Sequence, residues 1–203
     1  MLTRWEKWYS QDNLDQDERI LAAPPSLCAR SAAAEFLSRG KLHILDLACG
    51  VGRDTFYLEE RGLDVTGVDA SLNGLRAASQ IRLRRNATAE LVAADARLLP
   101  FADESFEGVY CFGLLHEFTS ERKREDVEQV MVEVGRVLCQ KGVLVLAVLS
   151  GKTEQGLPAV QMFTRQMFEQ ATQDWQPIAI RAYNDIGCTS RPDYRIWYGV
   201  FEK

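Results

Sequence analysis

The stretch Leu42-His43-Ile44-Leu45-Asp46-Leu47-Ala48-Cys49-Gly50-Val51-Gly52-Arg53 decides the fold. Its first six residues form a short, mostly apolar strand, and the glycines that follow break any regular repeat. A helix then runs from about Arg53 to Arg61 and is closed by Gly62. Strand, glycine loop and helix in this order open a parallel α/β unit.

Moving towards the C-terminus, the alternation continues. Leu63 to Val68 is a second strand, and Ser71 caps a helix reaching about Leu83. Glu90 to Ala94 is a third strand. Phe106 to Gly113 is a fourth, entered through the polar turn Ala102 to Ser105. Val127, Val130, Met131, Val134 and Leu138 give Glu121 to Leu138 an amphipathic helical pattern. A turn at Lys141 and Gly142 leads into Val143 to Leu149, the most apolar strand. Short, buried strands alternating with helices predict a parallel sheet covered on both faces. Towards the N-terminus, Pro24 and Pro25 precede the Ala-rich helix Ser26 to Arg39, closed by Gly40. Before that, Trp5, Trp8 and Tyr9 share one helical face.

The tail departs from the pattern. Thr164 caps a helix from Arg165 to Gln173, and two strand-like stretches follow, Trp175 to Tyr183 and Tyr194 to Phe201. About ten residues separate them, too few for a helical crossover, so they pair antiparallel. The expectation is an open α/β sheet of seven strands, mostly parallel, with an antiparallel strand from the C-terminal hairpin and helices on both faces. One domain, 1–203, is expected: an N-terminal helical segment 1–40, a core 41–150, and a C-terminal helix and hairpin 151–203.

Composition narrows the function. The 203 residues carry 24 Lys and Arg against 29 Asp and Glu, a formal net charge of −5. A dedicated nucleic-acid binder needs a basic face to displace counterions, so no nucleic-acid partner is expected. The best apolar run, Gly142 to Ser150, falls far short of the ~20 residues of a membrane span. Residues Met1 to Lys7 lack the apolar stretch of a secretory signal. The five cysteines, Cys28, Cys49, Cys111, Cys139 and Cys188, form no C-x-x-C pair, and free thiols in apolar segments suit a reducing cytoplasm.

In an open α/β sheet, ligands sit outside the carboxyl ends of the strands. Four signals fall there. In Asp46-Leu-Ala-Cys-Gly50-Val-Gly52, glycines allow close approach of a ligand to backbone. A dinucleotide fingerprint would need a third Gly at position 55, which holds Thr55, and Asp46 and Asp54 would oppose a pyrophosphate. The acidic loop suits a cation instead, and S-adenosylmethionine, with its ammonium and sulfonium, fits. Asp69 ends the second strand and can accept both hydroxyls of a ribose, although an Asp before Ser71 also suits a helix start. Asp95 and Ala96 end the third strand, where a carboxylate and a backbone N–H can read an adenine edge. The fourth signal is Tyr110-Cys-Phe-Gly-Leu-Leu-His-Glu-Phe118, whose first half lies against the cofactor and whose His116 and Glu117 emerge on the ligand side.

With these motifs in hand, the sequence resembles the class I S-adenosylmethionine-dependent methyltransferases over roughly Lys41 to Ser150. The resemblance implies a Rossmann-like sheet and S-adenosyl-L-methionine as cofactor. It carries the acidic glycine loop onto Asp46, Ala48, Cys49, Gly50 and Gly52, the ribose acid onto Asp69 with Ala70, the adenine pair onto Asp95 and Ala96, and the fourth-strand motif onto Phe106 to Glu117, Cys111 included. Ala48 stands where a Gly is common in the family, and Cys139-Gln140 replaces its usual Lys-Pro. The Trp/Tyr-bearing N-terminus and Trp175 are similar to the small bacterial tellurite-resistance and thiopurine type.

Methyl transfer is an in-line displacement, in which much of the catalysis is positioning in a dry pocket. A base is needed only where the acceptor must lose a proton, and His116 is the candidate. Tyr9, Glu117, Cys188 and Arg191 are the candidate substrate residues, with Trp5, Trp8 and Tyr9 either a lid or a packed helix. The expected partner is a small-molecule acceptor. A non-catalytic cofactor-binding protein, or transfer to a macromolecule or a metalloid held by Cys49, Cys111 and Cys188, are the alternatives. No resident metal is expected.

Overall fold

The computed structural model describes residues 4–10, 24–118, 123–150, 163–184 and 195–203. In chain order the elements are α1 (Arg4–Trp8), α2 (Leu27–Ser38), β1 (His43–Leu47), α3 (Arg53–Glu60), β2 (Asp64–Asp69), α4 (Leu72–Arg85), β3 (Glu90–Ala93), β4 (Phe106–Phe112), a 3-10 turn (Leu115–Glu117), α5 (Lys123–Val137), β5 (Leu138–Ser150), α6 (Arg165–Ala171), β6 (Gln176–Asn184) and β7 (Arg195–Glu202). The caps read from sequence hold the helices. Ser26 Oγ accepts from Ala29 N–H, Ser71 Oγ from Gly74 N–H and Thr164 Oγ1 from Met167 N–H.

The seven strands form one sheet in the order β3-β2-β1-β4-β5-β7-β6. β1 to β5 pair parallel, while β7 is antiparallel to both β5 and β6. β6 therefore runs in the direction of β1 to β5, and only β7 is reversed. The strand order reverses direction between β1 and β4, which sets the switch point beside the glycine loop.

Period-2 alternation sends side chains to two cores. Along β5, Val143, Val145, Ala147 and Leu149 face the layer of α2, α3 and α4, packing with Phe36, Phe56 and Ile81. Leu144, Leu146 and Val148 face the layer of α5 and α6, packing with Val130, Val134 and Phe168. The most apolar strand thus lies near the middle of the sheet, buried on both sides.

One boundary differs from the sequence reading. β5 begins at Leu138, directly after α5, instead of beyond a turn at Lys141 and Gly142. Leu138 pairs with Phe106, and the register then shifts before Gly108 meets Val143. Lys141 takes a left-handed φ of 59° in the irregular stretch. A turn residue here makes a bulge within a strand, because Phe106 supplies a pairing partner on the near side of it. No helix among the described residues is long and apolar enough to cross a membrane.

Candidate functional site

The glycine loop owes its shape to alternate residues. Ala48, Gly50 and Gly52 all have positive φ, at 68°, 56° and 78°. Left-handed backbone costs an L-residue roughly 1–2 kcal/mol, so Ala48 is the strained member of the three. In return, Ala48 N–H and Cys49 N–H both donate to Val68 O at 2.8 and 2.9 Å, folding the loop over the end of β2. Gly52 opens α3, and a Cβ there would stand 2.5 Å from the Phe56 ring. Only glycine fits.

The two acids flanking the loop have opposite fates. Asp46 is buried in β1, and loss of water pushes its pKa up to about 7. Thr55 Oγ1 donates to its Oδ2 at 2.6 Å. The residue standing in place of a third glycine thus serves Asp46. Asp54, read from sequence as part of the loop's negative face, is instead consumed by the scaffold. Its Oδ1 accepts from Ser26 N–H (2.8 Å) and Arg53 Nε (3.1 Å), and its Oδ2 from Ser26 Oγ (2.7 Å) and Tyr110 OH (3.0 Å). This buried network ties α2, α3 and β4 together. Arg53 pairs with this carboxylate, although its charge still acts on Asp46.

Asp69 faces the loop from β2. Its Oδ2 accepts from Gly50 N–H at 2.8 Å and its Oδ1 from Ser71 N–H at 2.7 Å. Burial outweighs these hydrogen bonds and holds its carboxyl above the usual range. Ala70 beside it is exposed.

Over this loop lies α1. Glu6 Oε2 accepts from Ser71 Oγ (2.6 Å) and Asn73 N–H (3.3 Å), while Asn73 Nδ2 donates to Glu6 O at 2.9 Å. These bonds place Tyr9 against two glycines. A Cβ on Gly50 would meet the Tyr9 hydroxyl at 2.7 Å, and one on Gly74 would meet its ring at 3.0 Å. Trp5 stacks on the Tyr9 ring, with centroids 5.5 Å apart. Burial, reinforced by the charge of Asp69, raises the phenol well above its ordinary pKa. Glu6, three residues before Tyr9 on the same helical face, was not singled out from sequence. That i, i+3 spacing was the available signal.

At the end of β4 the structure revises two expectations. The Cys111 side chain packs in the core with Leu47 and Leu146, and burial pushes its thiol up to about 12. Cys111 can therefore meet a ligand through its backbone and not through sulfur. His116 does not emerge on the ligand side; it is buried in the 3-10 turn. Its Nδ1 accepts from Leu149 N–H at 3.3 Å, which leaves the proton on Nε2, 3.6 Å from Glu117 Oε1. In this tautomer His116 donates towards Glu117. Glu117 is half-buried and near enough to act on the charge of Tyr9.

Asp46, Cys49, Gly50, Gly52, Asp69, Tyr9 and Glu117 thus gather around one loop. Asp95 and Ala96 stand beyond β3, and the Asp95 carboxylate is held by Arg97. Cys188 and Arg191 lie outside the described residues, as does any meeting of Cys188 with Cys49 and Cys111. Among the described residues no cluster of three His, Cys, Asp or Glu could hold a metal ion. A cleft of about 700 Å³ opens elsewhere, between α5 and α6, lined by Val127, Met131, Phe163, Met167 and Trp175. It shares no residue with the loop, where Tyr9 already fills the space.

A family model described as a methyltransferase domain matches residues 45–146, about half of the chain. The demethylmenaquinone methyltransferase of Renibacterium salmoninarum is 35% identical over 111 residues, covering 54% of this chain and 42% of that enzyme. The chain spans about half the length of the curated relatives it matches. A solved S-adenosylmethionine-dependent methyltransferase of Methanosarcina mazei superimposes with a TM-score of 0.69 at 18% identity, covering 79% of this chain and 91% of its own. The 1,6-didemethyltoxoflavin-N1-methyltransferase of Burkholderia thailandensis, solved with 1,6-didemethyltoxoflavin and S-adenosylhomocysteine, gives 0.67 at 18% identity, covering 88% and 79%. These two likenesses carry the fold alone.

Proposed function

The chain belongs to the class I S-adenosylmethionine-dependent methyltransferase family, and from that premise we propose that it binds S-adenosylmethionine and transfers its methyl group to a small-molecule acceptor. The observation that carries the reading is the left-handed loop Ala48–Gly52 set between the carboxylates of Asp46 and Asp69. When bound, the cofactor supplies a methyl group made electrophilic by a sulfonium. The chain supplies the rest.

The residues present fit that group. Asp46 offers a dry carboxylate to the ammonium, where Coulomb attraction is least screened. Gly50 and Gly52 let the ligand approach backbone. Asp69 and Ala70 suit the ribose hydroxyls, and Asp95 and Ala96 the adenine. Tyr9 occupies the space over Gly50, so the α1 strap must share or yield that space on binding. Once settled again, it excludes water from the reacting centre. Glu117, oriented by His116, borders the acceptor together with Tyr9; Cys188 and Arg191, outside the described residues, remain candidate contacts to the acceptor. An uncharged or aromatic acceptor is favoured by the demethylmenaquinone relatives and by the Tyr9 and Trp5 rings.

Titration calorimetry with S-adenosylhomocysteine tests the reading. Binding with a raised melting temperature is expected, as for any ligand selective for the native state, whereas NADH should leave the melt unchanged. No heat with either adenosyl compound at millimolar concentration would overturn it. A subsequent screen of quinols, phenols, thiols and amines for S-adenosylhomocysteine production should find turnover with one of them; binding without any turnover would favour the non-catalytic alternative. Asp69→Ala removes the charged acceptor for the ribose and frees Gly50 N–H. Its affinity for S-adenosylhomocysteine should fall by ~1.5–3 kcal/mol. Wild-type affinity in that variant would remove Asp69 from the site.

A further inference from the structure

The cleft between α5 and α6 runs the height of the sheet. Both helices set out from its carboxyl edge, since α5 follows β4 and α6 follows β5. Phe163 therefore stands at that edge, and Gly135 and Trp175 towards the other. Val127 to Gly135 is eight residues of helix, roughly 12 Å, the length of an extended chain of about nine carbons. The walls are apolar, Val127 and Met131 on α5 facing Phe163 and Met167 beside and on α6. Among the described lining residues the rim charges balance, Arg124 and Lys203 against Glu128 and Asp174. Arg124 Nε donates to Glu128 Oε1 at 2.8 Å, and Lys203 Nζ to Leu138 O at 2.6 Å. Such a lining suits an uncharged ligand, and about 700 Å³ is the size of a small-molecule site.

Gly135 is out of keeping with its place. Glycine inside a helix is destabilising relative to alanine. Its φ is not left-handed, and a Cβ there would meet only Trp175 within 4 Å, at an ordinary 3.8 Å. The fold has room for a side chain and leaves that room empty. What the bare backbone preserves is the cleft. Its carboxyl-edge end is tied to the acceptor side: Phe163 N–H donates to Leu149 O at 2.9 Å, and Leu149 N–H donates to His116 Nδ1, next to Glu117.

We propose that this cleft holds an uncharged aliphatic chain carried by the methyl acceptor, whose head lies at Glu117 and Tyr9. This rests on the methyltransfer reading above.

The test titrates the full chain with alcohols from pentan-1-ol to nonan-1-ol and with 4-nonylphenol, alongside S-adenosylhomocysteine. Affinity for the alcohols should rise about threefold to fourfold per added methylene, the scale of burying one CH₂. A blue shift of tryptophan emission should accompany binding and vanish in Trp175→Phe. Gly135→Leu fills the cleft and should weaken nonan-1-ol at least about tenfold, with S-adenosylhomocysteine affinity unchanged and a melting temperature at or above wild type. Met167→Glu, which places a charge on the opposite wall, should weaken nonan-1-ol likewise. Linking head to chain should make 4-nonylphenol bind at least about tenfold more tightly than nonan-1-ol. Equal affinity for the two would give the cleft to a separate lipid and overturn the proposal. So would wild-type nonan-1-ol affinity in both cleft variants, or a Gly135→Ala protein that melts well below wild type. A wild type that binds S-adenosylhomocysteine but not nonan-1-ol overturns the proposal alone. One that binds nonan-1-ol but not S-adenosylhomocysteine overturns the methyltransfer reading, and the acceptor's place in the cleft with it.

Discussion

An Asp46→Asn protein is expected to melt higher than wild type at pH 8 and to bind S-adenosylmethionine at least about tenfold more weakly. Burial raises the Asp46 pKa from 3.8 to about 7, so the native state holds this proton more tightly than the unfolded chain does. The stability from that proton is fully present below the unfolded value near 4 and is lost as pH rises through about 7. At pH 8 the anion therefore costs the unliganded protein on the order of 4 kcal/mol. Asn accepts the Thr55 hydroxyl as Asp46 does, but carries no charge to desolvate. A cationic ligand favours the anion, so its binding releases a proton below pH 7. Wild-type affinity should fall by up to about tenfold per pH unit there, and Asp46→Asn should lose that slope. Thermal melts from pH 5 to 8, with calorimetry in buffers of differing ionisation enthalpy, check both halves. A variant less stable at pH 8, or equal affinity across pH 5 to 8 in wild type, would mean that Asp46 is neither costly nor engaged with the ligand.

Asp54→Ala should be the most destabilising change near the loop, at about 3–5 kcal/mol, because removing one partner strands the others in a buried site. Ser26 Oγ, Tyr110 OH and the Arg53 guanidinium would all lose this shared acceptor at once. Asp54→Asn should cost less, since its carbonyl still accepts from part of the set. Urea unfolding of both variants, with S-adenosylhomocysteine affinity measured below the transition, separates the scaffold role from a ligand role. Near-native stability in Asp54→Ala, or a loss of affinity in Asp54→Asn larger than its loss of stability, would return Asp54 to the ligand's electrostatics.

The order of elements was legible in the chain because it is written in local terms. Caps at Ser26, Ser71 and Thr164, stops at Gly40 and Gly62, and the alternation of Val143 to Leu149 all act within a few residues. The antiparallel pairing of β6 with β7 followed from the same arithmetic, since a connection of about ten residues cannot carry a helical crossover. The glycine loop was equally readable: a strand that carries Asp46 near its end and is followed by Gly50 and Gly52 leaves few alternatives.

The partners of its acids were not readable. Asp46 and Asp54 look equivalent along the chain, both flanking the loop, yet one is buried with the Thr55 hydroxyl on it and the other is spent on residues 28 and 56 positions away. Arg97 closing on Asp95, and Tyr9 reaching Gly50 through the grip of Glu6 on Ser71, have the same character. His116 reads as emergent because it follows a strand, but Leu149 N–H on the neighbouring strand captures its Nδ1. The sequence by itself determined the sheet, its strand directions and the place of the loop, because hydrophobic periodicity and turn chemistry act at short range. Only the tertiary structure decided which charge is paired and which carboxylate is held, because desolvation and hydrogen bonding depend on what the sheet order brings alongside.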